Sequence, residues 1–429
     1  MATGAEPRFS LKDELFNAEK VAYLAGLLCD GVPGFDRARF ESEVLSQLTD
    51  LELKARINWI ADVLTAHLPD DFPAAADAIE ASLPPPLDPT RTDDDFGDFI
   101  FAPFGTFVAT NGLDQPDRAL SCLRELTMRF SMEDPIRAFL RADPERTLDV
   151  LDRWASDDNY HVRRLVSEGT RPRLPWSGRL ALPIDRVLAL LDQLHADPTR
   201  YVTRSVANHL NDIAKDDPAT VLDALGRWRI AGAQQPDELA WLTRHALRTL
   251  IKAGHDETLA FLGYRPDPPV DVELRLHTGV VVIGEALRFD VELTATGPAP
   301  LIVDYVVGFR KANGSLAPKT FKLKTFELDD GETVTLSKTH RLRGDATTYR
   351  LHPGDHDVTV QVNGAAGPSA PFRLVEPAAR LRSAVRARRT PPRWRSRSGM
   401  PSRAWPGCCS RARSPSWSRC TARRRCRRW

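Results

Sequence analysis

The residues best suited to chemistry stand between Asn159 and Trp176, in the stretch NYHVRRLVSEGTRPRLPW. From His161 to Arg179, five arginines (Arg163, Arg164, Arg171, Arg173 and Arg179) accompany a single acid, Glu168. Guanidinium forks bind phosphate in bidentate geometry, so such a cluster on a helix end or loop is able to follow a DNA backbone. The same pattern also suits arginines paired in ladders between helices, and both readings stand. A carboxylate set among guanidinium groups stays ionised, because nearby cations favour its charged form. Further acids are Glu133 in RFSMEDPIR and Asp212 and Asp216 in SVANHLNDIAKDDP. Asp212 is the more embedded in a helical pattern, whereas Asp216 precedes Asp217-Pro218 and reads as a cap or turn residue. Taken singly, Glu133 and Asp212 also fit inter-helix hydrogen bonds, with Asn208 and Asn211 in support. There is no GxGxxG after a strand, no P-loop, no GxSxG and no HExxH, so nucleotide-dependent catalysis and zinc hydrolysis have no support. No cofactor and no metal site is expected.

Helices must position these groups. From about Asp117 to Gly263 the chain repeats itself: Arg124, Arg164, Arg204 and Arg244 stand 40 residues apart. Cys122, Val162, Val202 and Leu242 lie two residues before them, and Leu126, Val166, Val206 and Ala246 two residues after, where they would face a core. DPERTLDVLDRW and DPATVLDALGRW form a second echo. A period near 40 with paired helices is the size class of HEAT and armadillo repeats, in which each pair buries its face against its neighbours. Residues 10–85 also carry apolar residues at three- and four-residue steps, with GVPGFD as a turn and PPPLDPTRTDDD as a loop. After GYRPDPPVDVEL the pattern changes to alternation: VDVELRLH, ALRFDVELTA, LIVDYVVGFRK, TFKLKTFEL, ETVTLSKTHRL and HDVTVQV, separated by turn signals such as NG and PGD. Six or seven short strands predict a small immunoglobulin-like β-sandwich. The predicted fold is therefore mainly α: a HEAT-like α-solenoid, then the β-sandwich, then a disordered tail. The predicted boundaries are 1–117 (N-terminal helices), 118–265 (repeats with the active site), 266–376 (sandwich) and 377–429 (tail).

The formal net charge of +1 averages unlike parts. From Pro377 onward there are 17 arginines and no acid, which leaves the body with 42 basic against 58 acidic residues. In so acidic a body the basic stretch around Arg164 is unusual. The tail reads either as translation of a GC-rich gene in a wrong frame or as a basic nucleic-acid-binding arm. Four of the six cysteines lie in it, which leaves only Cys29 and Cys122 in the body, too few for a disulfide scaffold. With no secretory pattern at the start and no apolar run of the roughly 20 residues that span a bilayer, a cytoplasmic protein without membrane contact is expected.

SEGTRPRLPW together with SVANHLNDIAK resembles the AlkC family of DNA glycosylases, in the HEAT-like superfamily that includes AlkD. The resemblance extends to LKDELFN, LTMRFSMEDPIRAFL, the phrase from Trp154 to Arg164, and RHALRTLIKAG, and covers roughly residues 9–375. It implies DNA alkylation repair: monofunctional hydrolysis of the N-glycosidic bond of cationic bases, 3-methyladenine and 3-methylcytosine, in double-stranded DNA. It also implies no deep base flipping, and the C-terminal immunoglobulin-like domain read above. An alkylated cationic base has a weakened glycosidic bond, and its departure leaves cationic character on the sugar, which carboxylates stabilise. Carried over by motif, Glu133, Glu168 and Asp212 form the acidic pocket, with Asp212 favoured as catalytic and the two glutamates as supports. Trp176 is implied as the aromatic lesion contact, and His161, Arg163, Arg164, Arg171, Arg173 and Arg204 as phosphate contacts. In the sandwich Lys311, Lys319, Lys322 and Lys324 are either further backbone contacts or ordinary solubilising residues. One departure from the family is Asp134-Pro135 after Glu133, expected to tighten the helix start and redirect that carboxylate. A monomer of bacterial, nucleoid-associated type is implied. The rivals are a non-catalytic HEAT scaffold, a binder of damaged or branched DNA, and a protein-binding adaptor.

Overall fold

The apolar steps at the N-terminus close into helices in the computed structural model, which describes residues 10–91, 96–344, 346 and 349–377. Six helices lead: α1 (Leu11–Leu15), α2 (Ala18–Gly31), α3 (Arg37–Leu48), α4 (Leu53–Thr65), α5 (Phe72–Ala81) and α6 (Ala102–Asn111). Asn17, Asp36 and Asp71 start α2, α3 and α5 by accepting a backbone N–H of the first turn. Ten helices follow: α7 (Pro116–Thr127), α8 (Ile136–Ala142), α9 (Pro144–Trp154), α10 (Tyr160–Gly169), α11 (Ile184–Leu194), α12 (Arg200–Ile213), α13 (Pro218–Ala231), α14 (Pro236–Ala246), α15 (Arg248–Ala253) and α16 (Asp256–Phe261). The DP echo is a repeated helix start: Asp143 and Asp217 cap α9 and α13, with proline at the first helical position of each.

The 40-residue repeat is the inner layer of a solenoid. Its four arginines ride on α7, α10, α12 and α14, and all eight flanking residues from Cys122 to Ala246 are fully buried. Helix α10 packs against α7 and α12, and α12 against α14, while α11 packs between α9 and α13 in the outer layer. Trp154 at the end of α9 and Trp228 in the last turn of α13 are buried anchors; the Trp228 indole stacks on His195 at 4.4 Å and donates to Asp192 at 2.6 Å.

Eight strands form the sandwich: β1 (Val270–Leu276), β2 (Val280–Val282), β3 (Ala286–Ala295), β4 (Ala299–Arg310), β5 (Leu316–Leu328), β6 (Thr333–Arg341), β7 (Gly354–Val362) and β8 (Ala365–Val375). One sheet has the order β1-β3-β6 and the other β2-β8-β7-β4-β5. Alternate residues of β3 (Leu287, Phe289, Val291, Leu293) meet Tyr305, Val307, Val358 and Val360 in one core. The six runs read from the sequence became β1 and β3 to β7; β2 and β8 were not read. Strand β8 follows an Asn363-Gly364 turn, with φ of 46° and 84° at the two residues.

The sandwich docks on the end of the solenoid through Ile302, which packs with Leu259 and Tyr264. Asn363 donates to the carbonyl of Arg265 at 2.9 Å and accepts from the N–H of Ile302 at 2.8 Å. Gly254 and Gly364 touch backbone to backbone, leaving no room for a Cβ at either. Among the described residues no helix is long and apolar enough to cross a membrane. What was read for the tail, its disorder and its origin, lies almost wholly outside the described residues.

Candidate active site

The stacking of the inner helices brings three distant acids into one line. Glu168 sits on the last turn of α10, Asp212 near the end of α12, and Glu133 in the turn between α7 and α8. Two arginines join them. Arg164 donates to Glu133 at 2.6 Å and lies 3.5 Å from Glu168. Arg171, just past the end of α10, donates to Glu168 at 2.6 Å and to Asp212 through Nε at 2.9 Å. Lys215 closes the line on the other Asp212 oxygen at 2.9 Å. The hydroxyl of Ser205 donates to Glu168 at 2.6 Å, and that of Ser131 bonds Glu133. The result is a ladder of alternating sign, Glu133–Arg164–Glu168–Arg171–Asp212–Lys215. Glu168 and Asp212 are buried, whereas the Glu133 side chain is 27% exposed.

Burial alone would raise the Glu168 carboxyl, but Arg164, Arg171 and the Ser205 hydroxyl outweigh it and hold the carboxyl below its ordinary range. The same pairing reverses the effect of burial on Arg164 and Arg171, whose cationic forms are strengthened. Beneath the ladder, His209 is bonded through Nδ1 to the carbonyl of Ser167 at 2.9 Å, and burial, then Arg171, push its pKa down to about 4. Arg164 also lies against the rings of Tyr201 at 4.9 Å and Phe96 at 6.0 Å, and Phe96 is exposed.

Trp176 is 83% exposed, on a backbone at φ 69°. Its turn is braced on two sides. Asp134 accepts from Ser177 at 2.5 Å and pairs with Lys54 at 3.2 Å, and Lys54 donates to the carbonyl of Trp176 at 3.1 Å. Arg173, from the same turn, pairs with Asp216, four residues after Asp212. The exposed indole is therefore mounted between the neighbour of Glu133 and the end of the helix bearing Asp212. The Asp134-Pro135 departure has a visible use here: Asp134 tethers the tryptophan turn, and Pro135 opens the run into α8 in helical conformation.

Other expectations meet a different arrangement. His161 is buried among Tyr160 and Tyr201. Arg163 is committed to Asp197 at 2.5 Å and to the carbonyl of Asp157 at 2.8 Å. With Arg164 and Arg171 in the ladder, these four residues are buried or half-buried, and the three arginines are paired within the protein. Arg173 remains partly exposed, and Arg204 is half-buried on α12. Asn208 and Asn211 turn away from the acids, toward His245 and Thr249.

Sequence reasoning missed Ser131, Ser205, Lys215, Phe96, Tyr201 and Arg137. Lys215 had a readable signal, three residues after Asp212 and just past the end of α12. Arg137 is the largest omission. It is fully buried in α8 and donates to the carbonyls of Gly169 (3.1 Å), Arg171 (2.6 Å) and Gly178 (2.7 Å), the two ends of the tryptophan turn.

The chain as a whole is similar to known proteins. Residues 129–250 match the family model of the DNA alkylation repair enzymes, and residues 271–376 that of the C-terminal Ig-like domain of YhaZ. The YhaZ protein of Bacillus subtilis (strain 168), described as uncharacterized, is 30% identical over 366 residues, spanning 84% of this chain and 98% of that protein. The Pseudomonas fluorescens alkylpurine DNA glycosylase AlkC, solved bound to DNA containing an abasic site analog, superposes with a TM-score of 0.77 at 36% identity, covering 86% of this chain and 100% of that one. This chain belongs to the AlkC family of DNA alkylation repair enzymes.

Proposed function

We propose that the chain is a monofunctional DNA glycosylase that hydrolyses the N-glycosidic bond of 3-methyladenine and 3-methylcytosine in duplex DNA. The observation that carries this reading is the ladder of ion-paired acids beside an exposed, backbone-strained tryptophan. An N3-alkylated base is a cation. As its bond to C1′ breaks, the electron pair leaves with the base, which departs neutral, and positive charge passes to the sugar. A carboxylate fixed nearby stabilises that charge more than it stabilises the ground state. Water adds to C1′ and gives up a proton. Asp212 is assigned to orient that water: its Oδ1 keeps a lone-pair site beyond the one taken by Lys215, whereas Oδ2 faces both Nε and Nη2 of Arg171. Glu168 and Glu133 support the charge, and Trp176 contributes cation–π attraction of about 0.5–2 kcal/mol to the charged base. Arg173 and Arg204 are the phosphate contacts kept in this reading. Lys215 is an ion-paired donor to Asp212 rather than a free amine, in keeping with hydrolysis rather than Schiff-base chemistry.

One observation favours a rival, a DNA-binding scaffold without catalysis: the acids already have internal partners. Incubating the full chain with methylated duplex and quantifying released bases separates the two. Release of both bases above the spontaneous rate is expected. Salt-dependent duplex binding without release establishes the scaffold instead. Asp212→Asn removes charge and little volume; excision is expected to fall about a hundredfold or more, with duplex affinity changed by less than about threefold. Unchanged excision in that variant moves the catalytic role to Glu133 or Glu168.

A further inference from the structure

Most arginines of the solenoid meet a carboxylate or a carbonyl, and one surface of the β-sandwich departs from that habit. Lys319, Arg341, Arg343 and Arg350 line a cleft of about 490 Å³, and none of its described lining residues is acidic. Among the described residues none of the four forms an ion pair. A second hollow of about 450 Å³ shares Arg341 and Arg343 and is bounded by Gly284 and Gly344, where no side chain stands between a ligand and the backbone. The two hollows therefore meet at an arginine pair.

The first hollow has an aromatic wall. Phe321 stacks on Tyr305 at 5.3 Å and meets His340 at 4.6 Å. Lys319 lies 5.4 Å from the Phe321 ring and 5.7 Å from that of Tyr349, which is 45% exposed. The domain as a whole has an excess of acids, so this concentration of cations is local.

We propose that the cleft binds single-stranded DNA, with a phosphate on Arg341 and Arg343 and an unpaired base stacked on Tyr349. Cations with no acid among the described lining residues select a polyanion, and an exposed ring between them selects a ligand with a planar face. A duplex presents phosphates but keeps its bases stacked inside, so it has nothing for the ring. A free mononucleotide fills one hollow, whereas two nucleotides sharing a phosphate fill both. This site lies on the sandwich and does not depend on the excision reading.

The test uses the full chain. The arginines after Pro377 accompany every variant alike, so the position of contact is read together with affinity. A single-stranded oligothymidylate carrying 5-iododeoxyuridine is cross-linked by light and the adduct mapped by mass spectrometry; it is expected on Tyr349 or Phe321. In fluorescence anisotropy, Arg341→Glu with Arg343→Glu is expected to weaken the single strand at least about tenfold and to flatten its salt slope by about 0.7, one lost phosphate contact. Tyr349→Ala is expected to weaken it about fivefold or more. Affinity for a blunt duplex of the same sequence changes less than about twofold, and an unchanged melting temperature certifies each variant's fold. Cross-links confined to the solenoid or to the segment after Pro377, or a duplex affinity that falls in step, overturn the proposal. Thymidine monophosphate or inorganic phosphate competing as well as the oligonucleotide does so too, by reducing the cleft to a nucleotide or anion site.

Discussion

Trp176 holds the least comfortable position of any side chain in the site. A bulky residue at φ 69° is a genuine outlier, and such conformations cost on the order of 1–3 kcal/mol. Being 83% exposed, the indole recovers little of this through burial. Strain retained without packing is what a side chain kept for a ligand looks like. Trp176→Gly therefore separates stability from function. Glycine relieves the strain but loosens the unfolded chain, so the two effects nearly cancel and stability to urea is expected to change by less than about 1 kcal/mol. Excision is expected to fall about tenfold, the loss of one good cation–π contact. Trp228→Ala is the contrast: that indole is buried, stacked and hydrogen bonded, and its loss is expected to cost about 3–5 kcal/mol. A Trp176→Gly variant as unstable as Trp228→Ala would mean that Trp176 packs rather than waits.

The turn carrying Trp176 is ordered by an element the sequence did not advertise. Arg137 of α8 bridges carbonyls at both ends of it from a fully buried position. Its truncation leaves buried carbonyls without donors, and Arg137→Ala is expected to destabilise the protein by about 3 kcal/mol. Hydrogen exchange is expected to rise first between residues 170 and 178. If the clasp positions Trp176, KM for methylated DNA rises more than kcat falls, and Arg137→Lys, which keeps a charge but not the fork, recovers part of the loss. An exchange pattern that loosens the whole solenoid evenly, with kcat and KM unchanged, would reduce Arg137 to a core residue. The acids themselves were legible from motif and repeat, because Glu168 and Asp212 occupy neighbouring inner helices. Their partners from other helices were not. The arginines stand 31 residues from Glu133 and 41 from Asp212, and Ser205 stands 37 from Glu168. Which guanidinium meets which carboxylate depends on how the helices stack, and composition does not record that. For the same reason the cluster could be read from sequence as phosphate-facing, when most of it faces inward.

At the scale of the whole molecule, the solenoid was readable because burial recurs every 40 residues, and the sandwich because its strands alternate. Strand β8 escaped because AAGPSAPFRLV has prolines, alanines and few branched residues; it is held in register by the turn at Asn363-Gly364 and by β7. The docking of the sandwich on the solenoid through Gly254 and Gly364 left no more trace in the sequence than two glycines among many. What the assembled fold adds is acid sensitivity. His209 is sealed under the ladder, its Nε2 without a partner among the described residues and its pKa pushed to about 4 from 6.5. In the unfolded chain the same imidazole takes up a proton near pH 6.5, so the unfolded state binds more protons as pH falls. The stability held by the neutral ring is complete above about pH 6.5 and is lost progressively toward pH 4, by as much as about 3 kcal/mol. Glu168 acts in a lower window: its depressed carboxyl contributes stability above 4.5 that disappears only as pH falls through its folded value. Urea titrations at pH 7.5 and 5 are expected to show the histidine effect while Glu168 is still ionised. His209→Asn keeps a donor for the Ser167 carbonyl and removes the titration, so its stability, though lower at both pH values, is expected to vary less between them. A variant whose pH slope equals that of the parent would place the acid sensitivity elsewhere and leave His209 a silent packing residue beneath the ladder.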